Sequence, residues 1–320
     1  MTLKEKNRKK LKIAVQMDSL DKINKNTDST LALIEEACNR NYIVFIYTVD
    51  NLSLVKNKPV AIGKEVLEVN IKNENFLSLK KNTSENLQKF DVILIRQDPP
   101  YDMQYITATY ILEKISSSCL ILNNPTSIRN CPEKIFVMDF YHLMPPTIIS
   151  REYKKIISFI KKHKNIVFKP LFGNGGKDVY FLNEKDPNLN IIIENMLLNR
   201  EHAIAQKFIK KVNLGDKRIL LLNGKPVGAV NRIPNKNEIR ANLHIGGIAK
   251  KTSLSKRDFF ICNEISHKLR DKGLFFSGID IIDGYLTEIN VTSPTCIREI
   301  DKLNKTNISK LFWDEVLSIN

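Results

Sequence analysis

The sequence predicts an α/β (α+β) protein, because strand-like and helix-like segments alternate early in the chain and hairpin patterns follow later. The early strand-like segments are residues 12–17, 42–47, 91–95 and 120–122, and the helix-like segments are residues 28–40 and 105–116. This alternation is typical of βαβ units and a mostly parallel sheet. Residues 60–69 fit a short hairpin or an irregular pair of strands.

Composition places the chain among ordinary globular proteins. Of its 320 residues, 42% are hydrophobic and 27% are charged, which is close to average. This length is enough for two or three subdomains. No apolar run approaches the roughly 20 residues that a membrane span needs. Residues 1–12 are basic and lack a signal-peptide pattern, so we expect a cytoplasmic protein with no membrane partner.

Cysteine usage and net charge exclude several further classes. The five cysteines are widely spaced and form no Cys-x-x-Cys pair, which argues against a disulfide scaffold or a zinc site. The net charge is +15, from 50 basic and 35 acidic residues. The lysines are spread along the whole chain without a nucleic-acid-binding motif, so we expect no nucleic-acid partner.

The most informative stretch is residues 279–294. Asp283-Gly284 predicts a tight hairpin turn between two strands. Pairing around that turn brings Asp280 close to Glu288, and Asn290 points to the same face as Glu288. Three oxygen-bearing side chains on one face suit Mg²⁺. An ordinary hairpin with one solvated polar face fits the same pattern. The hydroxyl-rich residues 291–295 that follow favour a ligand-binding turn.

A glycine-rich loop lies between two strand-like segments, after Lys169-Pro170. Gly173, Gly175 and Gly176 allow the backbone to approach phosphate oxygens and to present N–H groups to them. Lys169 adds a positive charge. The loop does not open a helix, so it is not a Walker A motif. A flexible hairpin tip is the simpler reading of the glycines alone.

The following segments add polar groups to this predicted site. The strand pattern at 203–209 ends with backbone groups that could read an adenine edge. Arg218 and Arg232 could hold a phosphate or carboxylate, or could be surface arginines. Residues 231–247 look like a long loop, typical of a lid or a disordered segment. Helix patterns at 255–272 and 308–317 complete the chain.

These motifs, in this order, resemble the ATP-grasp ligases and, within them, the bacterial-type glutathione synthetases. The resemblance is carried by Lys134, by Lys169-Pro-Leu-x-Gly-x-Gly-Gly, by Asp216-Lys217-Arg218 and by Asp280. It is most specific from Leu286 to Glu299, and it includes Arg-Gln-Asp-Pro-Pro at residues 96–100.

The resemblance implies a Rossmann-like pre-ATP-grasp domain at residues 1–130, followed by two α+β ATP-grasp subdomains at 131–205 and 206–320, the second with the metal site and lid. It also implies roles for individual residues. Nucleotide binding would fall to Lys134, Lys169, Gly173, Gly175, Gly176, Gln206, Lys207, Phe208, Ile209 and Asp216. Mg²⁺, or in its place Mn²⁺, would bind Asp280, Glu288 and Asn290. Catalysis would involve Arg218, Arg240 and Asn242, and substrate would contact Asp18, Asp98, Arg218, Arg232, Ser293, Pro294 and Thr295.

The implied activity is ATP-dependent ligation of γ-glutamylcysteine to glycine through an acyl phosphate, by a homotetramer. Three alternatives stay open: an ATP-grasp ligase with other substrates, an inactive ATP-binding protein, and a nucleic-acid-binding protein suggested by charge alone. One departure concerns the lid, since the family tends to have glycine where this chain has Lys236, Asn237 and Ala241. Lid stiffness and timing are therefore the properties most open to change.

Overall fold

The computed structural model describes residues 10–173, 175–198, 201–236 and 238–319, without the side chain of His244. Within these ranges the strands form three sheets of eight, four and five strands, in chain order. Asn237 lies outside the described residues, so its predicted effect on the lid stays a prediction.

The first sheet contains a parallel core flanked by antiparallel strands. Its strands are β1 (Lys12–Gln16), β2 (Ile43–Tyr47), β3 (Leu52–Val55), β4 (Lys58–Val69), β5 (Leu77–Leu79), β6 (Thr83–Asn86), β7 (Val92–Ile95) and β8 (Leu120–Leu122). Strands β2, β1, β7 and β8 are neighbours and run parallel. Its helices are α1 (Ser29–Asn39), α2 (Met103–Glu113) and α3 (Pro125–Asn130). The loops after β1 and β7 therefore meet at one sheet edge, where open α/β sheets bind ligands.

Strand β4 corrects the expectation for residues 60–69. It is one continuous strand that pairs with β2, β3, β5 and β6, not a hairpin or a pair of strands. Gly63 is buried inside it. A Cβ on Gly63 would lie 2.7 Å from the Phe45 ring and against the Ile46 carbonyl oxygen. The glycine therefore marks a place where the backbones of β4 and β2 approach each other closely.

The second sheet is antiparallel and follows the short helix α4 (Glu133–Phe136) and the 3-10 helix Val137–Leu143. Its strands are β9 (Thr147–Ser150), β10 (Asn165–Pro170), β11 (Tyr180–Asn183) and β12 (Ala203–Lys207), in the order β11-β10-β12-β9. Helices α5 (Tyr153–His163) and α6 (Leu189–Leu197) pack their apolar faces on this sheet. The domain boundaries inferred from the resemblance stay a prediction.

The third sheet is also antiparallel and has the order β15-β14-β13-β16-β17. Its strands are β13 (Asp216–Leu222), β14 (Lys225–Ile233), β15 (Ile248–Lys251), β16 (Phe276–Ile282) and β17 (Tyr285–Asn290). Asp283 and Gly284 have φ of 49° and 76°, as a two-residue hairpin turn requires. Asp280 pairs directly with Glu288, which confirms the register expected from the sequence.

The predicted loop at residues 231–247 is shorter than expected. Strand β14 continues to Ile233 because Asn231 and Arg232 pair with Lys250 and Ala249 of β15. A 3-10 turn, Leu243–Ile245, lies just before β15. The sequence did not predict this end of the strand, because the buried residue here is the charged Arg232 and not an apolar one.

The C-terminal part of the chain contains three helices in the described ranges, and the last two share one apolar core with strands of the first and third sheets. The three helices are α7 (Lys256–Asp271), α8 (Ile297–Asn304) and α9 (Ile308–Ser318). Trp313 of α9 is fully buried, and its indole N–H donates to the Leu33 carbonyl oxygen at 2.9 Å. This confirms the helix predicted at 308–317 and places it in the core. None of the helices in the described ranges is long and apolar enough to span a membrane.

Replacing Gly63 with alanine should lower the free energy of unfolding by about 1–3 kcal/mol, because the new methyl group overpacks the β2–β4 contact. Ile62→Thr on the same strand is the control. Its side chain is 49% exposed, so the change should stay within about 0.5 kcal/mol. Urea unfolding of both variants measures the difference. Equal effects would mean that Gly63 is not packed against β2.

Candidate active site

A single cavity of about 570 Å³ is lined by elements of all three sheets. Every residue that the sequence analysis selected as a site residue contributes to its wall. The set is Asp18, Asp98, Lys134, Lys169, Gly173, Gly175, Gly176, Gln206, Lys207, Phe208, Ile209, Asp216, Arg218, Arg232, Arg240, Asn242, Asp280, Glu288, Asn290, Ser293, Pro294 and Thr295. The cavity thus brings together residues that are up to 277 positions apart in the sequence. Their individual roles stay predictions.

Four charged side chains of the third sheet form a buried cluster on the floor of this cavity. Arg218 binds Asp280 through two hydrogen bonds, Nε to Oδ1 at 2.5 Å and Nη2 to Oδ2 at 2.9 Å. The Nη2 of Arg232 lies 2.5 Å from Oδ2 of Asp216 and 3.0 Å from Oδ1 of Asp280. Arg218 opposes Asp280 across β13 and β16, and Asp216 opposes Arg232 across β13 and β14. The cluster is therefore a direct product of strand register.

Burial and the two guanidinium groups set the protonation of this cluster. Burial alone would raise the pKa of Asp280, but Arg218 and Arg232 outweigh burial and hold it well below its usual range. The pKa of Asp216 is raised to about 6, because burial outweighs the attraction of Arg232. Asp280 is thus the firmly ionised member of the pair.

The hairpin carries its polar side chains on the cavity face. Glu288 accepts a hydrogen bond from Lys169 at 2.8 Å. The Asn290 Nδ2 lies 3.4 Å from Oδ2 of Asp280. Burial would raise the pKa of Glu288, but Lys169 and Lys134 together lower it. Glu288 is therefore ionised at neutral pH and sits between two lysines.

The chemistry of this donor set fits a hard cation. Within the described residues no group of three or more His, Cys, Asp and Glu side chains is arranged to hold a metal ion. Both carboxylate oxygens of Asp280 accept hydrogen bonds from the guanidinium group of Arg218. In the described part of the chain, no hydrogen bond reaches Oε2 of Glu288 or Oδ1 of Asn290, and both residues line the cavity. These two oxygens can bind Mg²⁺, which takes a few protein oxygens and completes its shell with water and phosphate.

Lysines and glycines surround the neighbouring part of the cavity. Lys134 Nζ donates to the Gly173 carbonyl oxygen of the glycine-rich loop. Burial lowers the pKa of Lys134, and the nearby charge of Lys169 lowers it further. Gly175 and Gly176 have φ of 61° and 79°, a conformation that favours glycine. This part of the cavity is suited to an anion, because two ammonium groups and a glycine-rich backbone converge there.

The end of strand β12 forms another wall. Lys207, Phe208 and Ile209 line the cavity. The Gln206 side chain is buried, and its amide donates to Thr147 Oγ1 at 2.9 Å. This hydrogen bond joins β12 to β9 beneath the wall of the cavity.

The segment before β15 covers the glycine-rich loop. Arg240 donates to the Gly176 carbonyl oxygen at 3.0 Å and binds Glu238 at 2.6 Å. That hydrogen bond with Arg240 lowers the pKa of Glu238 to about 2. A Cβ on Gly176 would lie 3.1 Å from Oδ1 of Asn242. Arg240 and Asn242 therefore lie directly on the loop, as a closed lid would.

The turn that follows β17 lines another part of the cavity. Ser293 donates to the Arg96 carbonyl oxygen at 3.1 Å, and Arg96 donates to the Pro294 carbonyl oxygen at 2.9 Å. The Asp98 backbone N–H donates to Asp18 at 2.7 Å. Burial and the neighbouring charge of Asp18 raise the pKa of Asp98. The loops after β1 and β7 of the first sheet thus lie next to the turn that follows β17 of the third sheet.

Sequence reasoning missed two charged residues of this cavity as site residues. Arg96 was quoted only as part of a motif, yet it is buried and holds the turn. Glu133 precedes Lys134 in the chain and binds the same turn. Their adjacency to motif residues was the available signal, but the contacts that matter span 198 and 159 positions.

The three-sheet architecture and its cavity define an ATP-grasp fold. A solved D-cycloserine synthetase superposes with a TM-score of 0.67 at 13% identity, over 95% of this chain and 99% of that one. D-Alanyl-alanine synthetase A of Vibrio cholerae gives 0.61 at 14% identity, over 97% and 98%. At these identities the likeness concerns the fold.

Sequence comparison identifies the family within that class. Residues 11–129 match the N-terminal domain model of prokaryotic glutathione synthetase, and residues 133–305 match its ATP-grasp domain model. The glutathione synthetases of Mesorhizobium japonicum and Brucella melitensis are each 45% identical, over 96% of this chain and 98% of theirs. The chain belongs to the prokaryotic glutathione synthetase family.

Replacing Asp280 with asparagine should destabilise the protein by about 3–5 kcal/mol at pH 7, because it leaves two buried guanidinium groups without this partner. The folded pKa of Asp280 is below its ordinary value of 3.8. Its stabilising effect is therefore present above that value and is lost as pH falls through the folded pKa.

Denaturant unfolding of wild type and Asp280→Asn between pH 7 and pH 3 measures this effect. The difference should hold down to about pH 5 and shrink at lower pH. Asp283→Asn is the control, since its ion pair with Lys211 is exposed. A difference between wild type and Asp280→Asn that grows as pH falls would contradict the assignment.

Proposed function

We propose that this protein joins γ-glutamylcysteine to glycine at the expense of ATP, releasing glutathione, ADP and phosphate. The observation that carries the proposal is the convergence of Lys134, Lys169, Glu288, Asn290 and Arg218 in one cavity. These are the charges that phosphoryl transfer to a carboxylate requires. The glutathione synthetase relatives supply the substrate identities.

The chemical problem is that a carboxylate does not react with an amine in water. The cysteinyl carboxylate of the dipeptide attacks the γ-phosphorus of ATP, and ADP leaves. The amine of glycine then attacks the resulting acyl phosphate, an amide bond forms, and phosphate leaves with one oxygen of the former carboxylate. Neither step needs a covalent bond to the enzyme, so positioning and charge stabilisation carry catalysis.

Lys134 and Lys169 would hold the transferred phosphoryl group, since their ammonium groups flank Glu288 next to the glycine-rich loop. Glu288 and Asn290 would hold Mg²⁺, which would supply positive charge to offset that of the phosphates. An ATP-grasp ligase of the same fold was solved with Mg and ADP, with a TM-score of 0.61 at 12% identity. Mn²⁺ in the same position is part of the proposal.

Arg218 would face the acyl phosphate and stabilise its charge. Its position is set by Asp280, because two hydrogen bonds fix the guanidinium plane. Arg232 would contribute in the same region, and Asp216 would help to position it near the nucleotide. The turn Ser293-Pro294-Thr295, with Asp18 and Asp98, would contact the dipeptide.

Arg240 and Asn242 would exclude water from the acyl phosphate. Both lie on the glycine-rich loop here, with Arg240 bound to the Gly176 carbonyl oxygen. Water exclusion matters because hydrolysis of the acyl phosphate would consume ATP without product. Ala241, where the family tends to have glycine, is buried in this cover. We also propose, from family membership, a cytoplasmic homotetramer.

The direct test is phosphate release with ATP, γ-glutamylcysteine, glycine and Mg²⁺, with each omitted in turn. We expect release only with all four present, together with one tripeptide per ADP. Turnover with a different acceptor and none with glycine would replace the proposal by another ATP-grasp ligase. ATP binding without any turnover would leave an inactive ATP-binding protein.

Glu288→Gln should lower kcat about 100-fold or more and raise the Mg²⁺ concentration that gives half-maximal rate, because the variant loses one anionic metal ligand. Titration of the initial rate with Mg²⁺ measures both effects. Glu152→Gln is the control, as its carboxylate is exposed and forms an ion pair with the exposed Lys155. Normal Mg²⁺ dependence in Glu288→Gln would remove Glu288 from the metal site.

A further inference from the structure

Glu133 makes an unusual set of contacts for a residue outside the predicted site. One carboxylate oxygen, Oε1, accepts from the Val291 N–H at 3.1 Å, the Thr292 N–H at 3.3 Å and the Thr292 hydroxyl at 2.7 Å. Strand β17 ends at Asn290, so these N–H groups lie just beyond its ladder. Glu133 therefore replaces the partners that the strand would otherwise have supplied.

The turn held by Glu133 lies between two parts of the active site. Asn290 directly precedes it, and Ser293 and Thr295 are in it or follow it. Arg96 fixes its other end, through the Pro294 carbonyl oxygen at 2.9 Å. Asn123 donates to the Val291 carbonyl oxygen at 2.7 Å. The backbone is thus anchored on both sides, and Glu133 is the only one of these anchors that accepts its N–H groups in the described part of the chain.

Glu133 also shares a peptide bond with Lys134. While Glu133 binds the turn, Lys134 reaches the glycine-rich loop at Gly173. One dipeptide at the start of α4 therefore fixes the distance between the turn and the phosphate-facing lysine. A shift of about 1 Å in such a distance can cost roughly 100-fold in rate.

We propose that Glu133 is a positioning residue for the ligation: it holds the turn at residues 291–294 so that Asn290 and Ser293 face the reacting groups while Lys134 faces the phosphates. Glu133 acts through these groups and does not bind ATP. This assignment rests on the ligase function proposed above. Its chemical requirement is a hydrogen-bond acceptor at this position, since all three contacts are donated to one oxygen.

Four variants test the assignment: Glu133→Ala, Glu133→Gln, Thr292→Val and the double variant that combines Glu133→Ala with Thr292→Val. The alanine variant removes the acceptor and should lower kcat about 10- to 100-fold, with the KM for ATP within about twofold of wild type. The glutamine variant keeps an amide oxygen in the same place and should stay within about threefold of wild type. Thr292→Val added to Glu133→Ala should cost no more than Glu133→Ala alone, because both remove the same contact.

Hydrogen exchange of peptides covering residues 289–295 gives a readout that does not depend on the substrate. Glu133→Ala should lose protection in this segment, and Glu133→Gln should keep it. If the wild-type enzyme ligates no substrate, the proposed function fails, while this exchange pattern still decides the structural part. Thermal unfolding of all variants detects a general loss of fold.

Two results would overturn the assignment. A glutamine variant as inactive as the alanine variant would mean that the negative charge acts directly. An alanine variant with wild-type kcat, or with unchanged protection at 289–295, would mean that the turn keeps its position without Glu133. If Glu133→Ala does not fold, Thr292→Val alone decides the assignment. It removes the hydroxyl contact to Glu133, so kcat and protection at 289–295 should both fall, and wild-type values of both would overturn the assignment.

Discussion

The structure depends most on the ion pairs that join Asp280 to Arg218 and Arg232. They lie on three adjacent strands, so a shift of strand register by one residue would move each of them to the opposite face. Charges buried in this way are costly unless they are paired and hydrogen-bonded. Because the opposite charges neutralise one another, these groups stay ionised beneath the cavity. The cavity above them has to bind a highly charged nucleotide.

Charge in the cavity is organised locally and is unrelated to the net charge of +15. In the third sheet Arg232 pairs across strands with Asp216, and Arg218, Asp280 and Glu288 form the neighbouring cross-strand row. Lys169 reaches the end of this row from the second sheet, at 2.8 Å from Glu288. In the proposed complex the cations would face the phosphates, and Oε2 of Glu288, which no hydrogen bond reaches within the described residues, would be left for a metal ion. This separation of roles arises from side-chain placement and not from surface lysines.

Local sequence signals were enough to predict the parts of the site that depend on short-range geometry. The Asp283-Gly284 turn determines the hairpin register, and with it the pairing of Asp280 and Glu288. The glycine-rich loop and the preceding Lys169 were also predicted from residues that are close together in the sequence. The prediction of a hairpin or strand pair at residues 60–69 was wrong, since Gly63 lies inside one continuous strand where β4 closely approaches β2.

Long-range contacts account for what the sequence did not reveal. Arg232 looked like a surface residue because its two carboxylate partners lie 16 and 48 positions away. Arg96 and Glu133 contact the 291–294 turn from the end of β7 and from α4, which are far from this turn in the chain. Only the assembled fold brings these groups together, and no periodicity in the sequence marks them.

The central claim is that the carboxylate is activated by phosphorylation in this cavity. Oxygen-isotope transfer tests it most directly. With γ-glutamylcysteine labelled by ¹⁸O in the cysteinyl carboxylate, and with ATP, glycine and Mg²⁺, the released phosphate should carry one ¹⁸O atom per turnover. Mass spectrometry of the phosphate measures the label. Unlabelled phosphate, or label found in a nucleotide product, would contradict an acyl phosphate.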